Sequence, residues 1–381
     1  MILKSIFSLI ICLTANLVFS QTTLVPVKPA GQAFWGYSTL EGDLVIPADM
    51  KKVNVFNEGY TPVLKSNGDW AFINTKGESL NVEAGSFAAV SIFGFGIKGF
   101  NDGLAPIIVK KKKGVINKEG KTIHNPEYNY ISDFNGGFAA AKIAKQFYIL
   151  TEDGKRLEID KPIIDLKKFS EGLAPYRGKS KLWGFMNSSG QVEIEAKFMS
   201  VGYFSHGLAW AKASDNLIGI INKKGEWVVK PQYLSAKEYD ASGYARVKSG
   251  TEWRFLTKEG DEITVSGNLS LGDFNEGLAY ARKGDFYGFV NTQGDWVVDA
   301  KYAKVKDFTE GYAAVRNGAS WGFIDKSGKE VISPKFINVR KFKNGYAAAC
   351  QVKDKWGIID TKGNWVLEPN YLRVLDVDVV K

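Results

Sequence analysis

One short pattern recurs along almost the whole of this 381-residue sequence. Each copy begins with an aromatic residue followed by glycine, as in Trp321-Gly322, and has a second glycine seven residues after the aromatic, as at Gly328. The starting positions of the ten copies, degenerate ones included, are Trp35, Trp70, Lys113, Phe147, Trp183, Ile218, Trp253, Tyr287, Trp321 and Trp356. Successive starts lie 34 to 36 residues apart, except for one interval of 43. Such a period predicts a tandem array of similar units rather than one large core.

A second pattern lies between successive copies, an aromatic residue three positions before a glycine, as in Phe308/Gly311 and Phe342/Gly345. Nine such pairs separate the ten starts, as a tandem array requires, and one of them, Tyr239/Gly243, has one extra residue. The joint spacing of the two patterns closely resembles the bacterial WG-repeat family, over roughly residues 24–371. The resemblance implies a β-rich repeat and no defined activity.

The residues of one copy indicate three strands. Trp321 to Asp325 alternates so that both faces of a strand are apolar, which is typical of a strand covered on both sides. Asp325 to Gly328 predicts a turn, and the strand that follows should end at Pro334 because proline cannot donate to a ladder. The small residues of 345–349 predict a third strand that stacks closely. We therefore predict an all-β array of about ten three-stranded units in residues 21–371.

The spacing alone leaves two arrangements open, an open β-solenoid-like array and a β-propeller-like ring. Ten units exceed the four to eight blades typical of propellers, which favours the open array. Residues 24–27 can supply the strand that the first unit would otherwise lack. Residues 372–381 alternate like one further strand, which we predict to cap an open end. A longer segment at residues 78–99 predicts a protruding loop.

The first twenty residues have the pattern of a secretory signal peptide. Lys4 is followed by a mostly apolar run from Ile6 to Phe19, and Val18 and Ser20 occupy the positions expected before cleavage at Gln21. The alternative, a transmembrane anchor, requires about 20 apolar residues, and this run is shorter. We therefore predict an exported protein, periplasmic, cell-surface or extracellular, with no transmembrane segment after cleavage of residues 1–20.

Export restricts the partners and the chemistry. The mature chain would keep one of the two cysteines, Cys350, and so could form no internal disulfide. The net charge of +9 favours an anionic protein or polysaccharide over nucleic acid, although scattered lysines also suit a merely soluble surface. His124 and His206 have no cysteine or second histidine at metal-ligand spacing. The turn positions equivalent to Asp325 hold Asp, Asn or Thr, which indicates turn capping rather than a calcium ladder.

Enzyme motifs are weak in this sequence. Gly94 to Gly99 fits GxGxxG, but the repeat's own aromatic-glycine pair follows where a nucleotide-binding helix should begin. No acidic pair interrupts the repeat in the manner expected of an active site. We predict no catalytic, metal or cofactor site.

Three tryptophans are the ligand-binding candidates. Trp227, Trp296 and Trp365 each lie two residues after a turn glycine, in every second unit. Two units that contain this tryptophan begin with Ile218 or Tyr287 instead of Trp, which favours a large ring exchanged between two core positions. The alternative is a row of exposed rings that stack on sugar or peptide. The sequence thus predicts an exported binding or scaffold module of the cell envelope. The alternatives are a carbohydrate-active enzyme and a structural component without a discrete ligand.

Overall fold

The computed structural model describes residues 22–92 and 96–380, and these residues form strands and turns without a helix. No helix among them is long and apolar enough to span a bilayer. The signal peptide prediction for residues 1–20 lies outside the described residues, as do Gly94 and Phe95 of the GxGxxG match. The all-β prediction is confirmed.

The units have one more strand than predicted. Most are antiparallel sheets in which a short first strand pairs with the small-residue strand, which in turn pairs with the WG strand and then with an outer strand. The first strand is usually only two residues long, too short to be recognised by alternation.

The strands of units one to five follow in chain order. They are β1 (Thr22–Pro29), β2 (Trp35–Ser38), β3 (Leu44–Lys52), β4 (Tyr60–Lys65), β5 (Trp70–Asn74), β6 (Ala88–Ala89), β7 (Ser91–Ile92), β8 (Gly96–Ile97), β9 (Leu104–Val109), β10 (Lys112–Asn117), β11 (Thr122–Tyr128), β12 (Tyr130–Ile131), β13 (Phe138–Ile143), β14 (Gln146–Thr151), β15 (Arg156–Glu158), β16 (Ile163–Leu166), β17 (Leu173–Gly178), β18 (Trp183–Asn187) and β19 (Val192–Phe198).

Units six to ten are more regular, and their strands end with one segment beyond the last unit. They are β20 (Ser200–Val201), β21 (Leu208–Lys212), β22 (Ile218–Asn222), β23 (Trp227–Tyr233), β24 (Ser235–Ala236), β25 (Ala245–Ser249), β26 (Glu252–Leu256), β27 (Glu262–Thr264), β28 (Ser270–Leu271), β29 (Ala279–Lys283), β30 (Phe286–Val290), β31 (Trp296–Tyr302), β32 (Lys304–Val305), β33 (Tyr312–Asn317), β34 (Ser320–Asp325), β35 (Glu330–Phe336), β36 (Asn338–Val339), β37 (Tyr346–Val352), β38 (Lys355–Asp360), β39 (Trp365–Val374) and β40 (Asp378–Val380).

The outer strand bulges against the WG glycine. Trp321 is opposite Phe336 and Phe323 is opposite Ile332, so β35 has extra residues at this point. Pro334 lies in the bulge, where the ladder is already interrupted, and the strand continues past it. The prediction that this proline ends the strand is therefore wrong. A Cβ on Gly322 would lie 2.4 Å from the carbonyl oxygen of Ile332, so the bulge requires glycine here.

The turns between the WG and outer strands are capped as predicted. The carboxylate Oδ1 of Asp325 accepts hydrogen bonds from the backbone N–H groups of Ser327 and Lys329, at 2.9 and 3.0 Å. Gly328 closes the turn with φ of 84°. Asn222 and Thr257 hold equivalent turns with uncharged oxygens, so the shared property is the acceptor and not the charge.

Neighbouring units share one buried hydrophobic cluster at each junction. Between units nine and ten, for example, the Phe323 and Phe342 rings have centroids 4.7 Å apart. Nine clusters join successive units, and a tenth joins unit ten to unit one through residues such as Leu367 and Val27. The array is therefore a β-propeller-like ring of ten units, and the inclination towards an open array is wrong.

Strand pairing joins the two ends of the described chain. The strand predicted at residues 24–27 is present in β1, which pairs with β2 of its own unit. Its other edge pairs with the end of β39, with Lys28 opposite Arg373, and also with β40. Residues 372–380, predicted to cap an open end, thus complete the first sheet instead.

The longer segment at residues 78–99 is partly ordered against the ring. It contains β6, which pairs with β9, and the small hairpin of β7 and β8. Val82 is buried in the cluster between units two and three. Part of the predicted protruding loop is therefore core.

Candidate functional site

The three candidate tryptophans are half-buried at junctions between units. The ring of Trp227 meets that of Phe198 of the preceding unit edge-on at 5.5 Å, and Trp365 meets Phe336 in the same way at 5.8 Å. Trp296 packs against the cluster between units seven and eight. These contacts support the interpretation that the three tryptophans are part of the core. Binding of sugar or peptide by these tryptophans stays a prediction.

Two of these rings also cover the WG glycine of their own unit. A Cβ on Gly219 would lie 2.7 Å from the Trp227 ring, and one on Gly357 would lie 2.9 Å from the Trp365 ring. At these two units the WG glycine is therefore required by the close approach of a ring.

Glutamates link one unit to the next. Both oxygens of Glu310 accept backbone hydrogen bonds, from Asn344 at 2.6 Å and Gly345 at 2.8 Å in the following unit. Glu58, Glu171 and Glu276 hold the following turn in the same way. The sequence suggests a solvated turn position here, and the four glutamates are indeed exposed; their carboxylates also bind the turn of the following unit, 35 or 36 residues away for Glu171 and Glu276.

These links lower carboxylate pKa values. Burial opposes ionisation of Glu171, but hydrogen bonds from Gly207 and His206 and the neighbouring Lys223 outweigh burial and lower the pKa. The pKa of Glu276 is lowered by the same balance, with Gly311 and Lys326 as the partners.

The most regular surface feature is a row of directly opposed residues that crosses each sheet, which we call the WG row. In unit nine it consists of Lys304, Arg316, Trp321 and Phe336, one from each strand. Directly opposed residues lie on the same face of a sheet, so these side chains share one face. In the other sheets, the equivalent row consists of the residues directly opposed across the strands at the WG position.

The second residue of the WG row lies on the small-residue strand, directly opposite the WG position. It is Lys or Arg in seven of the ten units, and six of these units are consecutive. These residues are Lys28, Lys142, Arg177, Lys212, Lys248, Arg282 and Arg316. All seven are half-buried. Within the described ranges, Lys212 and Lys248 have no ion-pair partner, which leaves their charge available to a ligand.

Aromatic rings hold several of these cations in place. The Lys142 ammonium lies 4.6 Å from the centre of the Phe147 ring, and the Arg177 guanidinium lies 5.8 Å from that of Trp183. Such contacts stabilise a cation by about 0.5–1 kcal/mol at exposed sites. The WG tryptophan thus orients positive charge as well as filling the core.

Exposed aliphatic residues border these cations. Met199, Leu234 and Leu269, each between an outer strand and the next first strand, are 43, 59 and 55% exposed. Their backbone N–H groups donate to the carbonyls of Lys212, Lys248 and Arg282 respectively. Ile164 and Ile337 occupy the same link position in units five and ten. An amphipathic band therefore runs along consecutive units.

Pockets open onto the amphipathic band at successive junctions, from the junction of units eight and nine to that of units ten and one. One of about 440 Å³ is lined by Tyr280, Tyr287, Lys304 and Lys306. The adjoining pocket, of about 400 Å³, has Lys306 and Arg340 in its wall. Burial lowers the pKa of Lys306, and the charges of Arg340 and Lys341 lower it further. An anion bound here would relieve this repulsion.

A third pocket lies at the closure of the ring. It has a volume of about 300 Å³ and is lined by Trp35 and Trp356 together with Arg340 and Arg373. Closure therefore brings aromatic and cationic residues from the two ends of the chain into one pocket.

Sequence reasoning missed the cations of the WG row. A signal was present, because a Lys or Arg stands five to seven residues before the WG position in these units, as Arg316 does before Trp321. The variable hairpin length between the strands hides the alignment until the ladder register is known.

The histidines have structural partners. His124 is buried, its Nε2 lies 2.8 Å from the carbonyl oxygen of Thr151, and burial lowers its pKa. His206 has φ of 55°, and its backbone N–H donates to Glu171. No group of three or more metal-ligating side chains occurs within the described part of the chain.

The closed ring of repeated antiparallel sheets defines a β-repeat protein of propeller-like architecture. The family model described as "WG containing repeat" matches residues 35–68, 114–145, 183–216, 218–253, 287–319, 321–356 and 356–374, together more than half of the chain. The chain belongs to this WG-repeat family. No curated protein matches it in sequence.

Several solved structures are similar to this chain at low identity. A eukaryotic initiation factor is 10% identical with a TM-score of 0.52, and the match covers 94% of this chain and 98% of that one. The computationally designed Ika8 protein is 12% identical with a TM-score of 0.40, covering 81% and 98%. BamB from Moraxella catarrhalis is 13% identical with a TM-score of 0.34, covering 74% and 90%. The similarity to the initiation factor concerns the fold alone.

Proposed function

We propose that this protein is an exported, non-catalytic binding or scaffold module that holds an anionic macromolecule of the cell envelope. The observation that carries the proposal is the series of half-buried cations at one ladder position in six consecutive units. Packing does not require a charge at this position, since Cys350 occupies it in unit ten.

The surroundings of the cations favour a protein partner over a polysaccharide. Leu234 and Leu269 are more than half exposed beside Lys248 and Arg282. Aliphatic side chains gain most when they are covered by other apolar side chains, whereas a sugar polymer would stack on exposed aromatic faces. A partner with acidic and apolar side chains in alternation matches both features.

Two synthetic polyanions test this preference. A glutamate–tyrosine copolymer offers charge and apolar rings, and polygalacturonate offers charge alone. We expect the protein to bind the copolymer more tightly, with affinity that falls as salt rises. The triple variant Lys212→Ala, Lys248→Ala, Arg282→Ala should lose binding of both polymers. The double variant Leu234→Ser, Leu269→Ser should still bind both, but it should no longer bind the copolymer more tightly than polygalacturonate.

The matched control removes three exposed lysines outside the rows, Lys118, Lys258 and Lys329. It should bind as the unaltered protein does. Equal losses in the control and the row variant would show that net charge alone matters. If neither polymer bound, the binding proposal would be wrong.

Export is tested separately by the N-terminus of the protein isolated from its native cells. We expect the mature chain to begin at Gln21. An intact Met1 in a cytoplasmic fraction would contradict export and leave the binding experiment unaffected.

A further inference from the structure

Four junctions of the ring lack an aromatic side chain that the other six have, and one of the four has only a valine in its place. At six junctions a Phe or Tyr two residues after the WG position contacts the aromatic of the next unit, with centroids 4.3 to 5.0 Å apart. Phe185 and Phe204 form one such pair, at 4.7 Å. Unit three has Val115 at this position, the smallest residue there in any unit.

The aromatic of the next unit is less well covered, although the His124 ring, opposite Val115, stacks on one part of it with centroids 6.1 Å apart. Phe134 is only half-buried, whereas its equivalents Phe169, Phe204, Phe308 and others are almost fully buried. Junctions where isoleucine replaces the ring, such as that of Ile149 with Phe169, remain filled. Among the aromatic residues of the second sequence pattern in the described chain, only Phe134 is half-buried, and the others are buried.

A cavity of about 340 Å³ occupies this place. Phe100, Leu104, Val115, Ile131 and Phe134 form most of its apolar wall. For comparison, an apolar protein cavity of about 150 Å³ already admits benzene. The volume is ample for one aromatic ring with a small substituent.

Two charged residues lie at the edge of the cavity. Lys98 and Asp133 both line it and pair with each other. Asp133 is 61% exposed at its side chain, which places this pair at the solvent side. A polar substituent on a bound ring would therefore reach an ammonium or a carboxylate.

We propose that this cavity between units three and four is a binding site for a single aromatic ring that carries a polar substituent. The bound ring takes the place that a phenylalanine or tyrosine takes at six other junctions, beside the Val115 side chain and against the part of the Phe134 ring that His124 leaves uncovered. The cavity shares no residue with the WG rows, so the site is independent of the proposed polyanion binding.

The probe is 4-fluorophenol, followed by the broadening of its fluorine NMR signal. We expect binding with Kd on the order of 1 mM, as suits a ligand of so few atoms. Val115→Phe supplies the missing ring within the chain and should weaken binding at least tenfold. It should also raise the melting temperature, because it fills a cavity.

The reverse variant, Phe185→Val, provides the matched control. It recreates the vacancy between units five and six, and we expect it to add a second site of similar affinity in a protein that melts at lower temperature. Should Val115→Phe fold poorly, Val115→Leu fills part of the space and should weaken binding by a smaller factor.

N-acetyl-tyrosinamide distinguishes the source of the ring. Binding of this amide as tight as that of the phenol indicates that a partner's side chain can enter, and binding of the phenol alone indicates a free small molecule. Absence of phenol binding at 10 mM, or equal binding by folded Val115→Phe, would overturn the proposal.

Discussion

The glycine of each WG pair is required by space rather than by backbone conformation. Gly322 has ordinary φ, yet a Cβ would lie 2.4 Å from the Ile332 carbonyl oxygen and 2.8 Å from the backbone nitrogen of Pro334. Neither backbone atom can move without displacing the bulge. The turn glycines differ, because Gly328 has φ of 84°.

Gly322→Ala should therefore destabilise the protein. Overpacking of a filled site costs about 1–3 kcal/mol, and we expect a value at the upper end because the clash involves backbone. Urea unfolding measures the change. Gly318→Asn is the control, since Gly318 has φ of 56° with open space around it and asparagine tolerates that conformation. Equal midpoints for the two variants would contradict this account of the WG glycine.

The tryptophans at the start of the outer strands should affect stability. Trp227→Ala or Trp365→Ala removes an edge contact with the preceding unit and uncovers a glycine. We expect a loss of about 3 kcal/mol, the lower end of the range for Trp→Ala because the rings are half-buried. The Trp→Phe variants should lose less. Unchanged denaturation curves would instead favour a ligand-binding role.

At the scale of elements, the glutamate links tie stability to pH. Glu171 and Glu276 have lowered pKa values in the folded protein, so their ionised forms stabilise it above the ordinary glutamate pKa of 4.5. This contribution is lost as the pH falls below 4.5 and through the folded-state pKa.

We therefore expect Glu171→Gln with Glu276→Gln to lower the melting temperature at pH 7 and to flatten its fall between pH 5 and pH 3. Glu259→Gln is the control, because no hydrogen bond of the Glu259 carboxylate is found in the described chain. If the double variant and the control had parallel pH profiles, the links would not contribute to acid stability.

The strands and turns could be predicted from the sequence because their causes are local. Alternation places Trp321 and Phe323 on one face, and the Asp325 oxygen needs only its own turn. The first strands could not be predicted, since Lys304 and Val305 form a strand only through their pairing with β33. The cations of the WG row depend on the same register. The link made by the exposed Glu310 could not be predicted either, because its hydrogen-bond partners belong to another unit.

Ring closure is the main property of the whole molecule that local patterns could not decide. Leu372 to Val380 reads as a strand, but its partner β1 lies at the other end of the chain. The pairing of β1 with β39 and β40, together with the packing of Val27 with Leu367, distinguishes the ring from an open array.

A disulfide across the seam should trap the closed ring. Lys28 and Arg373 are directly opposed, and such Cα atoms lie about 4.5–5.5 Å apart, within disulfide range. Lys28→Cys with Arg373→Cys should oxidise to a faster-migrating species and gain stability of up to about 5 kcal/mol in the chain-entropy model. The two single variants should do neither. A double variant that stays reduced under mild oxidant would indicate that the ends are apart in solution.

The shared first sheet also sets an order of events during synthesis. Translation makes β1 long before its partners at residues 372–380, so β1 lacks one neighbour until those residues have been synthesised. A product that stops before Arg373 leaves an unpaired strand edge and uncovers Val27. Synthesis of residues 372–380 is therefore the step that allows the ring to close.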